Sequence, residues 1–231
     1  MKGITYIFLA FFLLLPSAGT CASSVGAVTA FQGQAEIIRP GQPGIPTASG
    51  MPVHAGDMAK TGKRSKLEIR FDDGSIIRLG ENSHAEIAEY LFEDDSVLAK
   101  IFLHAGKVRS IVKKAKGLFG MDEINRFEVH TDTAVIGARG TDFVTFRKGK
   151  ISRALFIRGE GYCYPVGNPE ALKKVAAGQS VTVNRADAVP FVQKGNESEI
   201  RENLNDTTIW KDSGFIWNNP GPDDTVTASP Y

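Results

Sequence analysis

Hydrophobic and polar positions between residues 25 and 193 alternate in short runs that Gly and Asp separate. The run Leu67–Phe71 reads Leu-Glu-Ile-Arg-Phe, in which every second residue is apolar, as in a strand with one buried face. Similar runs predict further strands at 76–79, 107–112, 127–131, 141–146, 153–158 and 180–183. Before Asn196 the sequence has no sustained apolar stripe with a period of 3.6 residues. We therefore predict an all-β body.

The turns between these runs restrict how the strands can pack. Asp73-Gly74 separates two runs and predicts a hairpin, because Gly accepts a positive φ without a Cβ clash. A glycine opens an apolar run again at Gly106, Gly140, Gly161 and Gly178, at intervals too irregular for a propeller or a strict solenoid. Short strands of this kind fit a β-sandwich or a short β-helix-like stack, and the sequence leaves both open.

The pattern changes after residue 194. Asn196 is a favourable N-cap and Glu199 would occupy the third helical position, so we predict a short helix that ends near Lys211. Residues 212–231 are rich in Asn, Pro, Gly, Asp and Ser, which predicts a loosely held tail. The aromatic residues Trp210, Phe215 and Trp217 would either dock this tail on the body, which we favour, or contact a partner.

The first 22 residues have the features of a secretory signal peptide. Lys2 precedes an uncharged run of twelve residues, and small residues follow, with Thr20 and Ala22 at the two small-residue positions of a cleavage site after Ala22. A membrane anchor would need about 20 apolar residues. We therefore expect a periplasmic or secreted protein without a transmembrane span after cleavage. Its parts are a signal peptide (1–22), a β domain (23–193) and a C-terminal helix with its tail (194–231).

The two cysteines add little chemistry. Cys21 follows Ala-Gly-Thr, a poor match to a bacterial lipoprotein signal, so we expect it to leave with the signal peptide rather than to carry lipid. Cys163 then remains alone between Tyr162 and Tyr164, and a lone thiol cannot form an intramolecular disulfide. We expect Cys163 to be a small buried residue on a strand.

Charge argues against one class of ligand. The 27 basic and 26 acidic residues give a net charge of +1, which removes the long-range field of a nucleic-acid-binding protein, so we expect no nucleic-acid partner. One local basic group could contact a polyanion such as a wall polymer, although we favour a solvated turn or strand face as its explanation. This group consists of Lys107, Arg109, Lys113, Lys114 and Lys116.

The sequence contains no recognised catalytic motif. A nucleophile elbow, a phosphate-binding loop and a His-Glu-x-x-His zinc motif are all absent. The four histidines are isolated from one another, so we expect neither a metal nor another cofactor. The weak exception is a hydrolase built on His130, Asp132 and Asp142, of which the first two would share one face of a strand. We expect the protein not to be an enzyme.

The segment 131–143 has an unusual composition for a strand. The small residues Ala134, Gly137 and Gly140 allow close backbone approach, and Arg139 lies among them. An arginine offers five donors in a fixed fork. We therefore expect the Arg139 guanidinium to bridge neighbouring carbonyls or a carboxylate, in a structural role rather than in ligand binding.

This segment resembles the signature of the FecR-like domain family, Thr-x-x-Ala-x-x-x-x-Arg-Gly-Thr-x-Phe. Four further segments occur in the order expected for that family between residues 25 and 183, from Gly26-Ala27-Val28 to Gly106-Lys107-Val108. The signature positions, for which we expect structural roles, are Asp73, Gly74, Ser75, Gly106, Thr131, Ala134, Arg139, Gly140, Thr141 and Phe143.

The resemblance implies a role in signalling rather than catalysis. The best-known members combine a cytoplasmic anti-sigma segment, one membrane span and a periplasmic domain that receives a signal from an outer-membrane receptor. Here the predicted signal peptide leads directly into the β domain, so control of a sigma factor is not carried over. We expect an exported, non-catalytic module that senses a signal or binds an envelope protein. A cell-wall or polysaccharide-binding protein is the alternative.

Overall fold

The computed structural model describes residues 23–93, 96–113 and 126–209. The predicted signal peptide, the predicted tail from residue 212, Lys114 and Lys116 lie outside these residues. The strands of the first half are β1 (Ser24–Gln32), β2 (Ala35–Ile38), β3 (Ile45–Pro46), β4 (Pro52–His54), β5 (Met58–Thr61), β6 (Lys66–Phe71), β7 (Ile76–Leu79), β8 (His84–Glu93) and β9 (Ser96–Ile111). Those of the second half are β10 (Arg126–His130), β11 (Ala134–Ala138), β12 (Asp142–Lys148), β13 (Ile151–Arg158), β14 (Glu160–Pro165), β15 (Lys173–Ala176), β16 (Gln179–Val183) and β17 (Phe191–Lys194). A 3₁₀ turn (Pro169–Ala171) and helix α1 (Glu197–Thr207) complete the described elements. The all-β prediction is confirmed, and each of the predicted strands overlaps an observed one.

The strands form two sheets that share the long strand β9. Sheet 1 has the order β4-β1-β6-β7-β9-β12-β13-β16-β17. Sheet 2 has the order β3-β2-β5-β8-β9-β10-β11-β14-β15. All of these pairs are antiparallel except β9–β10. Because a β-helix stacks parallel rungs, this pairing fits the sandwich alternative.

Strand β9 passes from sheet 2 to sheet 1 at Gly106. Its first part pairs with β8 and β10, and its last part pairs with β7 and β12. Gly106 has φ +82°, and a Cβ there would lie 2.6 Å from the Cα of Ser83. A side chain would therefore meet both backbone strain and a steric clash at the point where the two sheets diverge.

Both sheets contribute to one hydrophobic core. Ile69 and Ile77 of sheet 1 and Ile87 and Ile101 of sheet 2 are fully buried in the same cluster. Core residues alternate with residues of the outer faces along most of the strands, as the period-two pattern predicts. The outer faces therefore carry the side chains that are available for recognition.

Helix α1 begins as predicted but ends earlier. The side chain of Asn196 accepts a hydrogen bond from the backbone N–H of Ser198 (2.9 Å), which confirms Asn196 as the N-cap. The prediction that the helix ends near Lys211 is wrong, because it ends at Thr207. Thr208 turns into extended backbone and donates its N–H and its hydroxyl to the carbonyl of Leu204.

Candidate functional site

The outer face of sheet 2 brings aromatic and titratable side chains together on four adjacent strands. Phe102 on β9 lies opposite His130 on β10, which lies opposite Val135 on β11, and Val135 lies opposite Tyr164 on β14. A second row places Glu128, Gly137 and Tyr162 side by side. The sequence neighbours of these residues, such as Ile101, Val129, Ile136 and Cys163, belong to the core, so the rows face outward. We call Phe102, Glu128, His130, Gly137, Tyr162 and Tyr164 the aromatic face.

The centre of this face is a tyrosine that crosses a glycine. The Tyr162 ring lies directly over Gly137, where a Cβ would overlap the ring. The ring thereby spans β11, and the Tyr162 hydroxyl donates a hydrogen bond to Glu128 Oε1 on β10 (2.8 Å). Gly137 therefore has a specific packing role, since only a residue without a side chain leaves room for this crossing.

Glu128 is a buried carboxylate with several partners. Its side chain is 8% exposed, and Glu128 Oε2 lies 2.7 Å from Nε2 of His130, which is 15% exposed. Burial of Glu128 opposes its ionisation and would raise its pKa. Hydrogen bonds from His130 and Tyr162, together with the charges of His130 and Arg126, outweigh the effect of burial. The pKa of Glu128 is therefore held below its usual value. Burial and the bond to Glu128 raise the pKa of Tyr162. These bonds fix the side chains in place.

The aromatic rings of the face are ordered and partly exposed. The ring centroids of Phe102 and His130 are 5.1 Å apart. Those of Tyr162 and Tyr164 are 6.1 Å apart, with an angle of 8° between the planes. All four side chains are partly accessible. Protein interfaces are enriched in such aromatic side chains.

The structure gives each of the three residues of the hydrolase hypothesis a different partner. His130 bonds to Glu128, Asp132 pairs with Arg147, and Asp142 binds Arg109 through both carboxylate oxygens (2.6 and 2.8 Å). Each acidic group therefore has its own structural partner. In the described ranges, no group of three or more His, Cys, Asp and Glu side chains could hold a metal ion.

The signature residues at the β6–β7 turn form a buried network. Gly74 has φ +87°, as the Asp-Gly hairpin requires. The carboxylate of Asp73 accepts hydrogen bonds from the N–H of Ser75 (2.9 Å), the hydroxyl of Ser75 (2.5 Å) and the hydroxyl of Tyr90 (2.6 Å). The Ser75 hydroxyl also accepts the N–H of Lys113 (3.1 Å), which connects the turn to the end of β9.

The signature in segment 131–143 forms two turns and part of the core. The Thr131 hydroxyl bonds to the N–H and the carbonyl of Ala134 and closes the β10–β11 turn. Gly140 has φ +62°, the Thr141 hydroxyl donates to the carbonyl of Glu160 (2.8 Å), and Phe143 is fully buried. Arg139 itself is exposed. The β11–β12 turn that contains it lies at the surface.

The predicted basic group is partly engaged within the protein. Arg109 is bound to Asp142, and Nζ of Lys107 lies 2.7 Å from Asp206 of α1. Lys113 lies beside Gly74. Two of the five predicted polyanion contacts are therefore neutralised by carboxylates that are distant in sequence.

Cys163 is free and buried, as predicted. Burial raises the pKa of its thiol to about 12. The functional interpretation of the sequence missed its neighbours Tyr162 and Tyr164, although a Tyr-Cys-Tyr run alternates as a strand does and places both tyrosines on one outer face. The isolated Gly137 was the second signal, because a glycine inside a strand often marks a close approach.

These features define an all-β module with ordered outer faces. Residues 57–160 match the family model described as FecR protein, which confirms the resemblance to this family over that part of the chain. The fold is similar to two crystal structures of a proposed anti-sigma factor from Parabacteroides distasonis, each with 14% identity and a TM-score of 0.50. The matches cover 64% of this chain and 64% or 63% of the other, less than two thirds of its length. No curated protein matches the sequence. Within the described residues, no helix is long and apolar enough to cross a membrane.

Proposed function

We propose that this protein is an exported, non-catalytic FecR module of the bacterial envelope that receives a signal by binding another protein through its aromatic face. The observation that carries the proposal is the crossing of Tyr162 over Gly137 to Glu128, which organises partly exposed rings on a rigid sheet. The FecR domain supports a role in signalling. The related fold of a proposed anti-sigma factor points to the same class of regulatory proteins.

The chemistry of the face suits a protein partner. Tyr162, Tyr164 and Phe102 offer large apolar areas with few rotatable bonds, so little conformational entropy is lost when they are covered. Glu128 and His130 are already paired, which reduces the cost of desolvating them in an interface. The same pairing leaves neither group free to attack a substrate. The predicted signal peptide would deliver the module to the envelope.

Photo-crosslinking in cells of the native host tests this proposal. A photoreactive phenylalanine analogue replaces Tyr164 on the aromatic face, and the matched control carries it at Ile151, which is 51% exposed and lies in sheet 1. We expect an adduct with an envelope protein from position 164 only. Mass spectrometry of the N-terminus is expected to find Ser23 as the first residue.

Three outcomes would contradict the proposal. Equal yields of the same adduct from positions 164 and 151 would show that the aromatic face has no special role. Adducts that contain only wall fragments would instead support the polysaccharide-binding alternative. An intact N-terminus at Met1 would contradict export.

A further inference from the structure

Helix α1 covers part of the outer face of sheet 1. Glu199 contacts Arg153 of β13, Asp206 contacts Lys107 of β9, and Lys66 of β6 contacts the end of the helix. The helix rises about 10 Å over the seven residues from Glu199 to Asp206. This rise equals about two interstrand spacings, which is the separation of β13 from β9 with β12 between them. The helix therefore crosses the strands rather than following one of them.

Beneath this crossing lies a small apolar floor that is separate from the main core. Val144 on β12 and Leu155 on β13 lie opposite each other, and both are fully buried. Neither belongs to the core cluster, which contains their sequence neighbours Phe143, Ala154 and Phe156. Val144 and Leu155 therefore face outward, on the side that α1 covers.

Charged contacts hold the helix on this floor. Nζ of Lys66 donates to the carbonyls of Asn205 (2.6 Å) and Thr208 (2.8 Å), at the negative end of the helix dipole. Lys107 pairs with Asp206 at 2.7 Å, and Arg153 pairs with Glu199 at 2.8 Å. Three cations of the sheet thus hold the helix near both of its ends.

The helix contributes little apolar surface to this contact. Its buried side chains are Asn203 and Thr207, and both bond to the backbone of α1 itself. Ile200 and Leu204 are only partly buried. A helix of eleven residues is marginal in water without tertiary contacts. Helix α1 is therefore an element that can open locally while the sheets stay folded.

We propose that the outer face of sheet 1 around Val144 and Leu155 is a docking groove for an acidic helical segment of a partner protein, and that α1 occupies this groove in the free protein. Charge complementarity specifies the occupant. From Glu197 to Thr207 the helix has four acidic residues and one basic residue, a net charge of −3. The groove presents the three cations Lys66, Lys107 and Arg153. Arg78 and Arg109 of this face already pair with Glu68 and Asp142 of the sheet.

A variant of the full chain in which helix α1 is held less tightly on sheet 1 tests the docking groove; we call it the loosened variant. The variant Glu199→Gln with Asp206→Gln removes both helix carboxylates that contact the sheet. The matched control, Glu197→Gln with Glu202→Gln, removes the same charge from exposed positions. The probe is a fluorescent peptide with the sequence of residues 196–209, followed by anisotropy. We expect the loosened variant to bind it about tenfold more tightly than the parent chain does, and the control to behave like the parent.

Charge reversal separates groove binding from loss of fold. The variant Lys107→Glu with Arg153→Glu, with its folding checked by circular dichroism, should not bind the peptide. It should bind a peptide in which the residues corresponding to Glu199 and Asp206 are lysines. Binding of the original peptide to the parent and the loosened variant with equal affinity would overturn the proposal. So would faster hydrogen exchange of α1 in the loosened variant without any peptide binding.

Discussion

Replacing Gly137 by Ala tests the architecture of the aromatic face. A methyl group there would overlap the Tyr162 ring, and the ring has to leave its position over β11. The hydrogen bond from Tyr162 to Glu128 is then lost, and bonds to charged groups contribute about 1.5–3 kcal/mol. Alanine is favoured over glycine in a strand by about 0.5–1 kcal/mol, which offsets part of this loss. We expect a net decrease in the free energy of unfolding of about 1–2 kcal/mol.

A double-mutant cycle in urea identifies the cause of this decrease. The variants are Gly137→Ala, Tyr162→Ala and their combination, with Tyr162→Phe to measure the hydroxyl alone, and the midpoint and m value are recorded for each. If the methyl group acts by displacing the ring, Gly137→Ala costs nothing once the ring is absent. Independent sites add within about 0.5 kcal/mol. An additive cycle would therefore refute this account of Gly137.

Four further predictions concern single residues. Gly140→Val forces a β-branched residue to φ +62° and should lower the free energy of unfolding by about 1–3 kcal/mol; an unchanged melting curve would disprove this. The folded-state pKa of Glu128 is lowered, so the ionised carboxylate stabilises the fold above its ordinary pKa of 4.5, and this stabilisation is lost as the pH falls through the lower folded value. The difference in unfolding free energy between the parent and Glu128→Gln should therefore narrow in acid, and a constant difference from about pH 7 to pH 2 would contradict this prediction. Iodoacetamide at pH 8 should modify Cys163 only after unfolding, since the thiol is buried and its pKa is about 12, and rapid labelling of the folded protein would exclude this. Arg139→Ala should lower the free energy of unfolding by about 0.5–1.5 kcal/mol, since truncation removes the hydrogen-bond donors of this side chain from the β11–β12 turn, and an unchanged midpoint in urea unfolding would contradict that structural role.

Features that depend on nearby residues could be predicted from the sequence. The Asp73-Gly74 turn follows from the positive φ that glycine accepts, and the structure has this conformation. The N-cap at Asn196 follows from one side chain and one backbone donor two residues away. Strand β6 follows from its period of two. In each case the partners lie within a few residues, so the sequence pattern already contains the interaction.

Features that depend on distant partners could not be predicted. Arg109 and Asp142 are 33 residues apart, and Lys107 and Asp206 are 99 residues apart, so no local pattern showed that the basic group is neutralised. Glu199 was expected to complete the cap of its own helix and instead binds Arg153 of β13. The crossing of Tyr162 over Gly137 requires the register of three strands, which the alternation of residues does not specify.

The separation of signature residues from outer-face residues has a functional consequence. Thr131, Gly140 and Phe143 close turns or fill the core, so their identity maintains the fold whichever partner the protein binds. Recognition requires side chains that the fold leaves accessible, such as Tyr164 and Phe102. A FecR signature therefore identifies the scaffold, and the partner has to be inferred from the outer faces. In this chain the two outer faces differ in chemistry, one aromatic and one basic beneath an acidic helix, and this difference predicts that each face binds a different kind of partner.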